Sequence, residues 1–512
     1  MRTIYFLLMM LVVLLTQQFV VISAINWSQT NICYTIIWLL FYTYLSFGTS
    51  YILISTIVYA FYRIKQHFIH PTISLPHNKY NFRAAVLYFV KNEGALFGQL
   101  LEQSLNCNNK QEFAESVDYF VISNSNKSDN LAEEKQIVQN LQAKYGSKIK
   151  YFTAKPPKHV GFQQWIKEFQ DSYKYCITCD ADTTLPKNSI SDLVAFMEHN
   201  PRVAITQSRI EIHGQSTWFS YFSSIGQNIV ARLHTVANTI MFQTGCYYGS
   251  GAIIRVKDMV GLRLSENVKC HDIWESSILQ SHNLAVYNHP DIVTCEMTPD
   301  NYIEQLSRGK RWIAGTIQTH EMLASPDIRP SVYPYIVLPI YIYFSQPVFC
   351  LWLIIGFAGG AKNLIIIDNY DLFQQVFEFV MLVIIGYRFV AIKRFYDVPL
   401  LISETVFSTL LYLNSMIYIT LDILEVILAT KFEWVPTIKK SGIPSWHELI
   451  KFFWPSTLIG LTLLYFWLIT GLGFIQWALP LIVSFTLVIP NSRITSIPIP
   501  KSLSSVLPYI KL

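Results

Sequence analysis

Hydrophobic positions divide the chain into three zones. The first 62 residues and the stretch after Pro330 are near-continuous apolar runs, whereas 80–325 alternates short apolar segments with polar ones. A hydrocarbon core about 30 Å thick needs about twenty apolar residues in a helix. Spans are therefore expected at 4–25, 34–62, 333–358, 372–391, 453–471 and 474–490. The run 400–430 is also long enough to cross, yet it carries Glu404, Asn414, Asp422 and Glu425. Basic residues bound it at both ends, Lys393 and Arg394 before it and Lys431, Lys439 and Lys440 after it. A span there would leave one basic cluster outside, against the positive-inside bias. A helix lying in the interface keeps both clusters on one side, and that is the expectation adopted.

Between the apolar zones the pattern is that of an α/β sheet. Strands are expected at 84–90 (AAVLYFV), 119–123 (YFVIS), 150–153 and 175–179 (YCITC), with helical stretches between them. Ligands of such sheets bind beyond the carboxyl ends of the strands, so the polar residues that follow these strands should gather in one crevice. Three regions result: 1–65 with two membrane helices, 80–325 with the α/β domain, and 330–512 with further membrane helices and the interfacial segment near 400–430.

Composition agrees with this division. Hydrophobic residues make up 52% of the 512 and charged residues 14%, too apolar for an ordinary soluble protein. The net charge of +5 comes without a basic block, so no nucleic-acid partner is indicated. The 8 cysteines are scattered. Only Cys176 and Cys179 form a CxxC, and no second ligand pair accompanies them, so they read as small apolar residues on a buried strand rather than a zinc site. The N-terminal run begins after Arg2 and ends in a poor cleavage site, Ser23-Ala24-Ile25, with a second apolar run close behind. Two retained helices are expected rather than a cleaved leader. Arg2, Arg63 and Lys65 flank this pair while 26–31 has no Lys or Arg, which puts the N-terminus and the 80–325 domain in the cytosol. The tail, with Arg493, Lys501 and Lys511, falls on the same side.

Three motifs carry chemistry. Asp180-Ala181-Asp182 closes the fourth strand. Two carboxylates around one small residue at a sheet edge can hold a hard divalent cation that also binds phosphate oxygens, although a DxD is equally a solvated acidic turn. His271-Asp272, with Glu275 one turn on, opens a helix. Asp272 can serve as a general base or simply cap that helix, and the two roles are compatible. Arg308-Gly309-Lys310-Arg311-Trp312 offers cations for a pyrophosphate and an aromatic face for a sugar, or else a basic flank to the membrane helix that follows.

In order and spacing these motifs resemble the membrane-embedded family 2 glycosyltransferases, which include cellulose, chitin and hyaluronan synthases. More closely, the chain resembles the glucans biosynthesis glucosyltransferases, inner-membrane enzymes that build osmoregulated periplasmic glucans. The segments that carry the closer likeness are 249–257 (GSGAIIRVK), His271-Asp272 with Glu275, 308–312 (RGKRW), 403–408 (SETVFS) and 480–492. The likeness runs from about 84 to 496.

The resemblance implies a GT-A-like, mixed and mostly parallel α/β domain in the cytosol, inserted between transmembrane helices. It implies inverting transfer of glucose from UDP-glucose to a growing β-glucan at the inner (plasma) membrane. Asp180 and Asp182 would hold Mg²⁺ or Mn²⁺, Asp272 would be the catalytic base, Arg308, Arg311 and Trp312 would contact the diphosphate and acceptor end, and Glu93 and Asn124 would lie at the nucleotide. The implied partners are a UDP-sugar donor, a glucan or other saccharide acceptor, membrane lipid and a periplasmic helper protein. Alternatives are a processive synthase of another polysaccharide and a catalytically idle membrane protein that binds a nucleotide. The chain departs from the family pattern at three places: Asn124 stands where an Asp is usual, the loop after the third strand reads Lys158-His159-Val160-Gly161-Phe162, and Arg308 replaces a Gln.

Overall fold

The computed structural model describes residues 2–68, 82–108, 113–213, 216–242, 245–392, 397–428, 442–470 and 478–504. Its centre is a seven-stranded sheet of β1 (Ala84–Val90), β2 (Val117–Ser123), β3 (Ile149–Thr153), β4 (Tyr175–Asp180), β5 (Val203–His213), β6 (Ala252–Arg255) and β7 (Ala285–Met297), in the order β3-β2-β1-β4-β6-β5-β7. β1 pairs in parallel with β2 and β4, and β2 with β3. β6 runs antiparallel to both β4 and β5, while β7 is parallel to β5. One reversed strand therefore brings the entry to β6 to the same edge as the ends of the other six.

Both faces of the sheet are covered, so its strands read as continuous apolar runs rather than alternating ones. β1 shows this directly: Ala84, Val86, Tyr88 and Val90 face a core closed by α3 (Leu96–Asn108), α4 (Ser128–Tyr145) and α6 (Ser189–His199). Ala85, Leu87 and Phe89 face the opposite core, filled by Phe162, Trp165 and Ile166 of α5 (Lys158–Phe169) and Leu279 of α9 (His271–Ser281). The strands expected from the sequence are all present. The CxxC falls on β4, where residues three apart point to opposite faces. Cys179 lies in the first core and Cys176 in the second, so the pair cannot grip one metal.

Apolar helices stand against one side of this domain: α1 (Arg2–Ala24), α2 (Ile32–Phe68), α11 (Tyr333–Ala361), α12 (Tyr370–Ala391), α13 (Val398–Leu411), α14 (Ser415–Leu428), α15 (Trp446–Thr470) and α16 (Leu479–Thr495). Among the described residues six stretches suffice, by length and composition, to cross a membrane: Ile4–Ala24, Ile32–Lys65, Pro330–Ala361, Tyr370–Ala391, Val398–Leu428 and Trp446–Ile469. The expected span at 474–490 is instead the 17-residue α16, which is shorter than those six; 471–477 lie outside the described residues. The 400–430 stretch is two helices of 14 residues broken at Tyr412–Asn414, and together they meet the length and hydropathy of a span. The basic residues expected to bound it, Lys393, Arg394, Lys431, Lys439 and Lys440, lie outside the described residues.

α7 (Trp218–Phe242) joins the two halves. One side packs on β5 and β7, the other on α2, α12 and α13, and Tyr221, Ile225, Ile229 and Leu233 share a core with Tyr59 and Leu401.

Candidate active site

The site is assembled at the edge where the strands end. Asp180 is the last residue of β4, and its backbone N–H donates to Thr183 Oγ1 (2.9 Å) and Ser250 Oγ (3.0 Å). These bonds tie the Asp180–Asp182 turn to the segment entering β6. Gly251 in that segment has φ +64°, and a Cβ there would collide with Thr294 Oγ1 on β7, so only glycine fits. Asp182 is 5% exposed and its Oδ2 accepts from the Met297 N–H (3.3 Å). Lys158, at the start of α5, pairs with Asp180 Oδ1 and donates to the Gly249 carbonyl (2.8 Å).

Asp272 lies in the first turn of α9 and faces the same glycine. A Cβ on Gly249 would stand 3.8 Å from Asp272 Oδ2 and 3.8 Å from His271 Nε2. Asp180, Lys158, Gly249 and Asp272 thus form one continuous line from β4 to α9.

α10 (Tyr302–Gln318) supplies the cations. Asn301 caps it, accepting from the Glu304 N–H (3.0 Å). Arg308, Arg311 and Trp312 are spaced i, i+3, i+4 and share a face. The Arg308 guanidinium stacks 4.7 Å from the Trp312 ring centroid, and that ring is 43% exposed, which leaves it open to a ligand. Burial, then Arg308, pulls the Arg311 pKa down to about 10, while Asp180, Glu304 and Glu93 pull the other way. Arg311 therefore sits within electrostatic reach of both Asp180 and Glu93. Lys310 points elsewhere, to Glu425 Oε2 (2.6 Å) and Asp422 Oδ1 (3.9 Å) on α14.

Glu93 and Asn124, the residues expected at a nucleotide, lie at the ends of β1 and β2. Glu93 follows Asn92, whose Oδ1 accepts from the N–H groups of Asn126 (3.2 Å) and Lys127 (3.3 Å). Asn124 is 5% exposed, and its amide donates to the carbonyls of Ala154 (3.1 Å) and Lys155 (3.0 Å). That donor closes the strand end itself, so any contact with a base falls to the Asn124 carbonyl oxygen.

Two functional candidates were not legible as such. Glu296, at the end of β7, accepts from Thr183 Oγ1 (3.4 Å). Burial, then the nearby Asp182 and Asp180, pushes its pKa up to about 7. Its strand contains Pro290 and many polar residues, so the only available signal was its place after an apolar segment. Lys158 was visible as a variant loop residue, but nothing in the sequence put it on Asp180. The crowding of Glu296 by Asp180 and Asp182 shows an excess of negative charge here, which suits a cation. Among the described residues no three His, Cys, Asp or Glu side chains could hold a metal ion by themselves. Asp180 and Asp182 would therefore hold one together with oxygens from water or a bound phosphate.

Residues 86–260 match the family model described as Glycosyl transferase family 2. That stretch covers β1 to β6 and includes both carboxylates of the DxD. Over 427 residues the chain is 24% identical to glucans biosynthesis glucosyltransferase H of Pseudomonas fluorescens (strain Pf0-1), covering 74% of this chain and 50% of the relative. It is 23% identical to the protein of that name from Pseudomonas syringae pv. syringae, covering 74% and 53%. The chain thus spans about half the length of the curated relatives it matches. Among solved structures, a mannosyltransferase from Pyrobaculum calidifontis in complex with GDP-Man and Mn²⁺ aligns with a TM-score of 0.49 at 12% identity, over 75% of this chain and 97% of that one. Family model and relatives agree on one class of enzyme, a glycosyltransferase. The fold has the mixed, mostly parallel sheet and flanking apolar helices expected of a membrane-inserted member of that class.

Proposed function

We propose that this protein is a membrane glucosyltransferase that extends a β-glucan from UDP-glucose with inversion at the anomeric carbon. One observation carries the reading: Asp180, Asp182, Asp272 and the Arg308–Arg311–Trp312 face of α10 converge on one edge of the sheet, linked through Lys158 and Gly249. Asp272 accepts the proton of an acceptor hydroxyl, whose oxygen bonds to the anomeric carbon as the bond to the diphosphate breaks. Arg311 and Arg308 bind the departing charge, and the Trp312 face receives the acceptor sugar. Asp180 and Asp182 would hold a Mg²⁺ or Mn²⁺ ion, which supplies positive charge to the leaving nucleoside diphosphate. Glu93 and the carbonyl oxygen of Asn124 flank the nucleoside.

The domain lies on the cytosolic side of the plasma membrane in this reading, since Arg63 and Lys65 leave α2 towards it and 26–31 is free of Lys and Arg. Release of UDP from UDP-glucose by the purified protein tests the assignment. Asp272→Asn is expected to lower turnover by about 10²- to 10⁴-fold with the donor still bound. Turnover that survives this change removes Asp272 as the base, and a donor screen that favours another nucleotide sugar overturns the glucosyl assignment.

A further inference from the structure

We propose that His271, seated on the buried carboxylate of Glu275, is a cationic hydrogen-bond donor to the diphosphate of the sugar nucleotide, aimed into the same space as Asp272. The proposal rests on the transferase reading of this site and adds a substrate-contacting residue to it.

The ring is fixed from three directions. His271 Nδ1 lies 3.2 Å from Glu275 Oε2, one turn further along α9. The His159 ring of α5 packs against it with centroids 5.7 Å apart, and Tyr247 approaches edge-on at 6.2 Å. With Nδ1 committed to Glu275, Nε2 points the opposite way, towards Gly249. It lies as near to that glycine's missing side chain as Asp272 Oδ2 does. Gly249 has φ +80° and turns its carbonyl to Lys158, which reaches Asp180. Nε2 and Asp272 Oδ2 thus face the same glycine, which Lys158 links to Asp180 at the metal end. The Glu275 side chain is 0% exposed and its Oε1 is buried without a hydrogen-bond partner. A buried carboxylate so placed depends on a neighbouring cation.

Charge around the ring favours the imidazolium. The titratable groups facing it are Glu275 and Asp272 on α9, Lys158 and His159 on α5, and Tyr247 before β6. Burial pulls the His271 pKa down, but Glu275 and Asp272 outweigh burial and Lys158, and the net direction is upward. His159 goes the other way, to about 4, through burial and the charge of His271. In this tilted pair His159 is thus held neutral, while the surroundings of His271 favour its charged form. A charged N–H makes a hydrogen bond to a phosphate oxygen about twice as strong as a neutral one. No proton leaves His271 in this role.

The test compares wild type, His271→Gln and Glu275→Gln in detergent, following both UDP release from the donor and binding of UDP itself across pH. Wild-type turnover and UDP affinity should fall as pH rises through a pKa above the ordinary imidazole range. His271→Gln should lack that limb and turn over on the order of 10²-fold more slowly at neutral pH. Glu275→Gln should keep the limb but move it to lower pH. Equal melting temperatures for wild type and His271→Gln separate this from a fold defect. A limb that persists in His271→Gln, or unchanged turnover and UDP affinity, overturns the proposal. If no sugar nucleotide releases UDP but UDP binds with the expected pH limb, the transferase reading fails and the His271 assignment stands. If UDP does not bind, both fall.

Discussion

At the scale of single residues, Asn124 shows how a departure from a family pattern can have a local cause. Its two amide hydrogens both end on backbone carbonyls, at 3.1 and 3.0 Å, and hold the end of β3 to the end of β2. A carboxylate there would face two acceptors. Asn124→Asp is therefore expected to destabilise the domain by about 1–3 kcal/mol, read as a lower melting temperature. An unchanged melting temperature would show that the latch contributes nothing. Asp118 makes a pH-dependent contribution. Burial works to raise its pKa, but hydrogen bonds from Tyr173 and Lys150 and the charges of Lys150 and Arg83 prevail, so the folded value lies below the ordinary one. Stability from this cluster is present above the ordinary carboxylate pKa and disappears as pH falls through the folded value. Thermal midpoints at pH 5 and pH 3 should differ less in Asp118→Asn than in wild type, and equal differences would remove Asp118 from the acid transition. Legibility also has a residue scale. Asp180, Asp182 and Asp272 stood out because each follows an apolar strand or opens a helix. Glu296 did not, because its position depends on β7 lying beside β5 across a reversed β6. No local pattern encodes that pairing.

At the scale of elements, the sequence pattern found β1 to β4 and most of the apolar helices, but not β5, β6 or β7. Pattern says least where an element is defined by its partner. The 400–430 stretch is expected in the interface because basic residues bound it at both ends and it carries Glu404, Asn414, Asp422 and Glu425. In the fold Glu404 and Asp422 meet other elements: Glu404 is 1% exposed and pairs with Arg388 on α12 at 2.9 Å, with a further bond from Ser408 on its own helix, while Asp422 faces Lys310 on α10. The crossing of α7 and α13 depends on Gly226, where a Cβ would lie 2.5 Å from Glu404 Oε1. Gly226→Ala should displace that carboxylate and weaken both of its bonds. Breaking a buried pair from one side costs about 3–5 kcal/mol, and displacement should cost a fraction of that. The expected result is faster proteolysis between the sheet domain and the helices, measured in detergent. Gly226→Ala with Glu404→Gln should lose less than the two changes summed, because they act on one contact. Full additivity would mean that the glycine matters for another reason.

At the scale of the whole molecule, the ends of the apolar helices bear on which side of the membrane holds the sheet. The turn between α1 and α2 is knitted to the turn between α11 and α12. Asn26 N–H donates to the Ile366 carbonyl and Asn31 N–H to that of Leu364, both at 2.9 Å, and Asn26 Nδ2 reaches Asp368 Oδ1 at 2.8 Å. These turns lie at the end of the helices away from the sheet, so they mark the opposite face of the molecule. Arg63 at the other end of α2 donates to the carbonyls of Val390 and Ile392 at 2.7 and 2.6 Å, satisfying the last turn of α12 beside the sheet domain. Arg63 and the Asp180–Asp182 edge thus share one side, and Cys33 beside the knitted turns belongs to the other. Cys33 is an exposed free thiol, whereas the remaining cysteines are intermediate or buried. A membrane-impermeant maleimide applied to intact spheroplasts should label the wild type and fail to label Cys33→Ser. A cysteine introduced at exposed Lys187, just after the DxD turn, should react only after permeabilisation. Labelling of Lys187→Cys in intact cells, with Cys33 silent until they are opened, would place the sheet outside and remove the cytosolic sugar nucleotide from reach of Asp180 and Asp182.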